Sequence, residues 1–288
     1  MNLQNFIYQL YSIADDTVEL ASRYSFTSIF QNPVNWRLSF NSNFYNTIYQ
    51  LTRVFRVIAI QLVVLFFLIG FCSTAMDLKE QLTMENILKL FIKIGITQYF
   101  VMQSSAIMFD IYSFIISIIN RIGLPDLKYI TTDGLYVSNK IYEMSDIGRV
   151  VFLFIAFFYL VICAGVGMMI VYIAFMRMIK IGLAEIYSPL AFSTIASNSR
   201  HLSEILPTFL KYMFGLLIEG ISLGVCFKLL NITHSAYALI NITSIMPENA
   251  PFMYATAFVV QRAIHLIIFV MFMKVSIEVP KKALGLER

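Results

Sequence analysis

Long apolar runs separated by short polar ones dominate this chain. The clearest is Val54–Met76, VFRVIAIQLVVLFFLIGFCSTAM, whose one charge, Arg56, lies within a turn of its start. A helix rises about 1.5 Å per residue and the hydrocarbon core of a bilayer is about 30 Å thick, so about 20 such residues suffice to cross. Four more runs follow, at Asn86–Asn120, Val150–Met178, Pro207–Leu230 and Phe252–Lys274. The second is entered past Lys89 and Lys93 and holds Gln98, Gln103, Ser104, Ser105 and Asp110, so it reads either as one tilted helix or as two half-helices. The third carries Phe152, Phe154, Phe157, Phe158 and Tyr159 near one end, the small residues Ala164, Gly165 and Gly167 near its middle, and Arg177 and Lys180 at its close. In the fourth, Pro207 suits a helix start, and Gly220 and Gly224 form a small-xxx-small pair. Small residues of this kind let membrane helices approach closely.

Between the third and fourth runs, Ile181–Lys211 is less apolar. Its first part looks too short and too polar to span, and Pro189 is expected to break a helix there. The pattern predicts a re-entrant or hairpin segment over 181–196, then a polar turn at Ser197–His201. Ahead of the first run, Leu3, Phe6, Ile7, Leu10 and Ala14 recur at helical spacing, with Gln4, Gln9, Asp15 and Asp16 elsewhere on the wheel. This amphipathic helix would lie at the interface, bind a partner, or pack on the protein's own membrane domain. Pro33 and Trp36 end its pattern, and a polar loop punctuated by Gly123, Pro125, Asp133 and Gly134 fills 121–149.

The expected fold class is therefore all-α: a polytopic membrane protein with about five transmembrane helices, an amphipathic N-terminal helix and a re-entrant or hairpin segment. Residues 1–52 form the N-terminal segment, 53–279 the membrane domain, and 280–288 a short basic tail.

Composition agrees. Hydrophobic residues make up 59% of the 288 and charged residues 13%, with a mean hydropathy of +0.75. A soluble domain carries about 25% charged residues, so this chain has too few to clothe a globular surface. The net charge of +4 comes from scattered basic residues and does not suggest a nucleic-acid-binding block. Cys72, Cys163 and Cys226 each sit in an apolar run and read as small buried hydrophobes. Met1–Ser12 has no basic residue ahead of an apolar run, so no signal peptide is expected.

Charge also suggests an orientation. The side holding the N-terminus and the 121–149 loop carries eight basic residues: Arg23, Arg37, Arg53, Arg56, Arg121, Lys128, Lys140 and Arg149. The other carries eleven: Lys79, Lys89, Lys93, Arg177, Lys180, Arg200, Lys211, Lys274, Lys281, Lys282 and Arg288. The excess, and a 231–250 loop with no basic residue, point to an N-terminus outside and a C-terminus inside. Arg53 and Arg56 pull the other way.

No His-Glu-x-x-His, phosphate loop or Gly-x-Ser-x-Gly occurs, so neither an enzyme nor a cofactor or metal site is expected. The chemistry-bearing candidates lie inside the spans. Glu219 and Arg262 fall at similar depths in adjacent antiparallel runs, which makes a pair plausible, and His265 follows Arg262 by one turn. An isolated mid-bilayer charge costs at least ~2.5 kcal/mol, so these side chains should be neutral, paired or facing water. They form either a structural ion pair or a polar, proton-sensitive lining. Gln103 and Asp110, seven residues apart, would share a helix face toward a lumen or a neighbouring subunit, or else lie at the membrane edge.

One stretch is similar to a known family. Arg177-Met-Ile-Lys180 leads into Glu185-Ile-Tyr-Ser-Pro-Leu-Ala-Phe192, a polar turn at Ser197-Asn-Ser-Arg-His201 follows, and Lys211-Tyr-Met-Phe214 opens the next apolar helix. With the N-terminal segment, about five spans and a basic end, this resembles the TrbL-like polytopic channel subunits of conjugative type IV secretion systems, from about Asn43 to the C-terminus. The tail lacks the long Ser/Gly-rich or charged extensions of many members. The resemblance implies a homo-oligomeric channel or scaffold subunit in a bacterial cytoplasmic membrane. It would work with other envelope subunits and a cytoplasmic ATPase, with nucleic acid only as transient cargo. The competing class is a small-molecule secondary transporter with Glu219, Arg262 and His265 as a midplane site.

Overall fold

The computed structural model describes residues 3–30, 42–77, 84–122, 140–197, 200–235, 250–283 and 285. All regular structure in these residues is helical, in the order α1 (Leu3–Phe30), α2 (Ser42–Asp77), α3 (Met84–Met102), α4 (Ser104–Ile122), α5 (Asp146–Ser193), a 3-10 turn (Thr194–Ala196), α6 (Arg200–Ser203), α7 (Ile205–Ser235) and α8 (Pro251–Ala283). Four helices are long and apolar enough to cross a membrane, over Phe44–Cys72, Asp146–Ala196, Ile205–Cys226 and Pro251–Glu278. The bent pair α3–α4 makes a fifth if counted as one span. The protein is thus a multi-pass helical membrane protein. The apolar side chains that α2 leaves uncovered, including Val57, Val64, Leu65, Leu68 and Ile69, need lipid or another apolar partner around them.

Three boundaries bear on the sequence-based expectations: the first and third differ from them, and the second decides between two alternatives left open. First, α2 starts at Ser42, well before the apolar run, because backbone hydrogen bonding carries a helix past a fall in hydropathy. Second, the Asn86–Asn120 run divides into α3 and α4, bent by 62° about Gln103. The Gln103 N–H still donates to the Tyr99 carbonyl (2.9 Å), and its carbonyl accepts from the Ile107 N–H (3.0 Å). The bend sits at Ser104-Ser105, and serine pairs are a recognised cause of kinks.

Third, Pro189 does not break its helix. The expected re-entrant or hairpin element over 181–196 is instead the continuation of α5 to Ser193, closed by the 3-10 turn. The reason is local. Proline lacks the N–H that would bond the carbonyl four residues back, and here the Ser188 hydroxyl donates to that carbonyl, Glu185 O, at 2.8 Å. Ser193 and Thr194 donate to the Leu190 and Ala191 carbonyls in the same way. Of the expected polar turn, Ser197 lies in extended backbone and 200–203 form the short α6.

The residues divide into two compact units. The first comprises 1–30, 119–176 and 219–282. Its core is built on matched spacings: Ile7, Tyr11, Ala14 and Val18 of α1 and Phe152, Ala156, Tyr159 and Cys163 of α5 both advance by four, three and four. That is a seven-residue repeat on each helix, the pattern that keeps two helices in register along a seam. Ala255, Phe258 and Val259 of α8 close the third side. The three helices run parallel. Asn5 accepts from Tyr142 (3.4 Å), Tyr11 stacks on Tyr159 with centroids 5.4 Å apart, and a Cβ on Gly167 would lie 3.4 Å from Ala21. A Cβ on Gly148 would meet Phe252, the second residue of α8, at 3.7 Å. Of the expected apolar face of α1, Ile7 and Ala14 are buried, but Leu3 and Phe6 are exposed and Leu10 is half-buried. The helix packs on the protein's own membrane segment along a face rotated from the expected one.

The second unit comprises 31–118, 177–218 and 283–288. Ala59 and Val63 of α2, Val101 of α3, Phe192 and Ala196 form its core, and Phe100 stacks on Phe192 at 5.8 Å. Lys93 Nζ donates to the Ser197 carbonyl at 3.0 Å, satisfying a group that the end of the 3-10 turn exposes. Helices α2 and α5 meet at Gly182, where a Cβ would lie 2.7 Å from Ile48 Cδ1. At the start of α3, outside the spans, Lys89 pairs with Glu85 at 2.6 Å and holds its carboxyl below the usual range by hydrogen bond and charge.

Candidate functional site

Among the described residues, polar groups gather at one place in each unit. In the first unit this is where α1, α5 and α8 pack together. Between Arg149 and Arg177, α5 has no charged residue, and this is the part able to cross a bilayer. Tyr159 lies ten residues into that run, about 15 Å deep at 1.5 Å per residue and so near the middle of a ~30 Å core. Its hydroxyl donates to Asp15 Oδ1 of α1 at 2.7 Å, and the two side chains are 2% and 7% exposed. Arg262 of α8 is buried within electrostatic reach of Asp15, Tyr11 and Cys163, and its guanidinium sits 5.4 Å from the Phe258 ring centre. A carboxylate at this depth is tolerable because a hydroxyl hydrogen-bonds it and a guanidinium stands nearby. Gln261 is buried beside Arg262 in sequence, and His265 is half-buried one turn on.

Of the residues singled out in the sequence, Arg262, Glu219 and His265 belong to this unit, and Arg262 and Glu219 are buried. Arg262 gains a neighbour that sequence reasoning missed. The sequence pattern places Asp15 elsewhere on the wheel than the apolar face of α1, yet Asp15 is buried and follows Ala14 of the seam. The available signal was its four-residue spacing from Tyr11, which puts both on one face. Gly167 packs against Thr17 and Ala21, whereas a Cβ on Gly165 would meet open space. Gly220 and Gly224 are buried.

The second concentration is a cavity of about 290 Å³ in the second unit. Tyr45 and Tyr49 of α2 form one wall, Ser105, Ala106, Phe109, Asp110 and Tyr112 of α4 another, and Glu185 of α5 contributes a carboxylate. Asp110 is exposed, while Glu185 and Tyr112 are buried. Arg56 of α2 donates from Nη2 to Ser105 Oγ at 2.9 Å, and the buried Arg177 lies within electrostatic reach of Tyr112. Asp110 thus lines a cavity. Gln103 lies at the bend between α3 and α4, is exposed, and is not among the residues lining the cavity. Sequence reasoning missed Glu185, whose segment looked too short and too polar to span, and the pair Tyr45 and Tyr49, whose four-residue spacing was its only mark.

Among the described residues, no group of three or more His, Cys, Asp or Glu side chains is placed to hold a metal ion. No protein family, curated protein or solved structure matches this chain.

Proposed function

We propose that this protein is a channel or scaffold subunit of a type IV secretion machine in a bacterial cytoplasmic membrane. The observation that carries the reading is the 177–214 stretch, where the resemblance to TrbL-like subunits is concentrated. In the structure Arg177, Glu185, Ser188, Ser193, Thr194 and Ser197 of this stretch are all buried. A polar segment folded inward in this way is a packed structural element and not a loose connection between spans. The subunit self-associates, its uncovered apolar faces meeting lipid and neighbouring copies. It assembles with other envelope subunits and a cytoplasmic ATPase, and DNA–protein complexes or effector proteins pass as cargo. The N-terminus lies outside and the C-terminus inside.

Pull-down of the tagged protein from its host in gentle detergent, read by mass spectrometry, tests this reading. Co-recovery of a large cytoplasmic ATPase and envelope subunits is expected, and recovery alone as a small monodisperse species refutes it. For the orientation, a cysteine at Ser244 should react with an impermeant reagent before the membrane is opened.

A second reading, a small-molecule secondary transporter, is favoured by one observation: the buried Asp15, Tyr159 and Arg262 near mid-membrane. Glu219→Gln separates the two. It abolishes proton-coupled uptake in a transporter and leaves a secretion scaffold assembled.

A further inference from the structure

The cavity of the second unit has a consistent chemistry. Its two acidic lining residues, Glu185 and Asp110, both carry carboxyl groups, which in the ionised form only accept hydrogen bonds. Its lining is rich in aromatic residues, Tyr45, Tyr49 and Phe109 among them. Tyr112 lines the same space at 4% exposure, and its hydroxyl has no hydrogen-bond partner among the described residues. Leaving a buried hydroxyl without a partner is unfavourable, so a guest that hydrogen-bonds it is favoured. Carboxylates and ring faces together attract one class of guest. Cations bind to aromatic faces within about 6 Å of the ring centre, and guanidinium groups pair with carboxylates through parallel N–H donors.

The volume, about 290 Å³, lies at the lower end of ligand pockets, which suits a group of side-chain size. Arg56 and Arg177 stand outside the wall, the first donating to Ser105 and the second acting on Tyr112. Aromatic lining favours a weakly hydrated, singly charged organic group over a strongly hydrated divalent ion.

We propose that this cavity binds a monovalent organic cation, a guanidinium or alkylammonium of side-chain size. The inference is independent of the secretion reading, since it rests only on the lining. Such a cation would come either from a soluble amine or basic side chain, or from an amine-bearing lipid headgroup.

The test uses the purified full chain in detergent, with methylguanidinium chloride at millimolar concentration as probe. Sodium chloride at equal ionic strength and uncharged N-methylurea serve as controls. A saturable rise in unfolding temperature is expected with methylguanidinium alone. Glu185→Gln and Asp110→Asn should each raise the half-saturating concentration about 10-fold or more, as loss of a charged hydrogen-bond partner does. Tyr49→Leu, which removes a ring face, should raise it about 2–5-fold. If Glu185→Gln does not fold, Asp110→Asn and Tyr49→Leu, both at exposed positions, carry the test. Equal shifts with N-methylurea or sodium chloride, or wild-type protection in Asp110→Asn and Tyr49→Leu, overturn the proposal. The source is read in nanodiscs. Protection lost in phosphatidylethanolamine but kept in phosphatidylglycerol identifies a lipid headgroup, and protection kept in both identifies a soluble cation.

Discussion

Replacing Tyr159 with phenylalanine isolates one atom of the mid-membrane cluster. The ring remains, with its stack on Tyr11 at 5.4 Å and 15°, and only the hydroxyl that donates to Asp15 Oδ1 at 2.7 Å is lost. Neutral hydrogen bonds between membrane helices average about 0.6 kcal/mol by double-mutant cycles, because the reference state in lipid finds other partners. Here the acceptor is a carboxylate, buried with its donor, and hydrogen bonds to charged groups contribute about 1.5–3 kcal/mol. Tyr159→Phe is therefore expected to destabilise by about 1.5–3 kcal/mol. Asp15→Ala should cost more, since it strands the Tyr159 hydroxyl and removes a negative charge near the buried Arg262. Because both substitutions break one contact, the double variant should be less destabilised than the sum, with a coupling above about 1 kcal/mol. The assay is reversible unfolding in mixed micelles of dodecyl maltoside and dodecyl sulfate, followed by far-ultraviolet circular dichroism. Additivity within about 0.5 kcal/mol refutes the reasoning, since it would mean the two groups do not interact in the folded state.

Further outcomes follow from other contacts. Ser188→Ala removes the donor to the Glu185 carbonyl and should cost about 1–3 kcal/mol, whereas adding Pro189→Ala restores a backbone N–H and should recover most of that loss; no recovery in the unfolding midpoint argues against the compensation. Gly182→Ala sets overpacking against Ile48, about 1–3 kcal/mol, against a helix-propensity gain of about 1 kcal/mol, and Ile48→Val removes the offending Cδ1. The pair should then unfold at higher denaturant than Gly182→Ala alone, and an equal midpoint places the close approach elsewhere. Of the native cysteines, only Cys72 should take up maleimide in the folded protein, with Cys163 and Cys226 reacting after denaturation; peptide mass spectrometry reads this, and early labelling of Cys163 contradicts the α1–α5 seam. Single cysteines at Asn5, Ser145 and Met253 should all label from one side of the membrane, because the starts of α1, α5 and α8 lie together, and a split result rules out the parallel arrangement.

The class of this protein was legible in its sequence because hydropathy is a sum over a window. A run such as Val54–Met76 or Val150–Met178 is apolar whatever it packs against, so a membrane environment follows from length and composition alone. The exceptional positions were legible too. Arg262 and Glu219 stand out inside apolar runs, and the structure buries both. Their surroundings depend on something a window cannot carry, namely the rotation of each helix about its own axis. Asp15 falls off the apolar face when α1 is judged by hydrophobicity, but the seam through Ile7, Tyr11, Ala14 and Val18 turns it inward onto Tyr159. Pro189 was read by its local rule, which fails where a neighbouring hydroxyl replaces the missing N–H. The bend at Gln103 was one of two open alternatives, and periodicity alone does not choose between a straight helix and a bent pair. The cavity of Tyr45, Tyr49, Asp110, Tyr112 and Glu185 draws on three helices far apart in the chain. Only packing brings such residues together, because contacts between helices depend on azimuth and depth, and composition specifies neither.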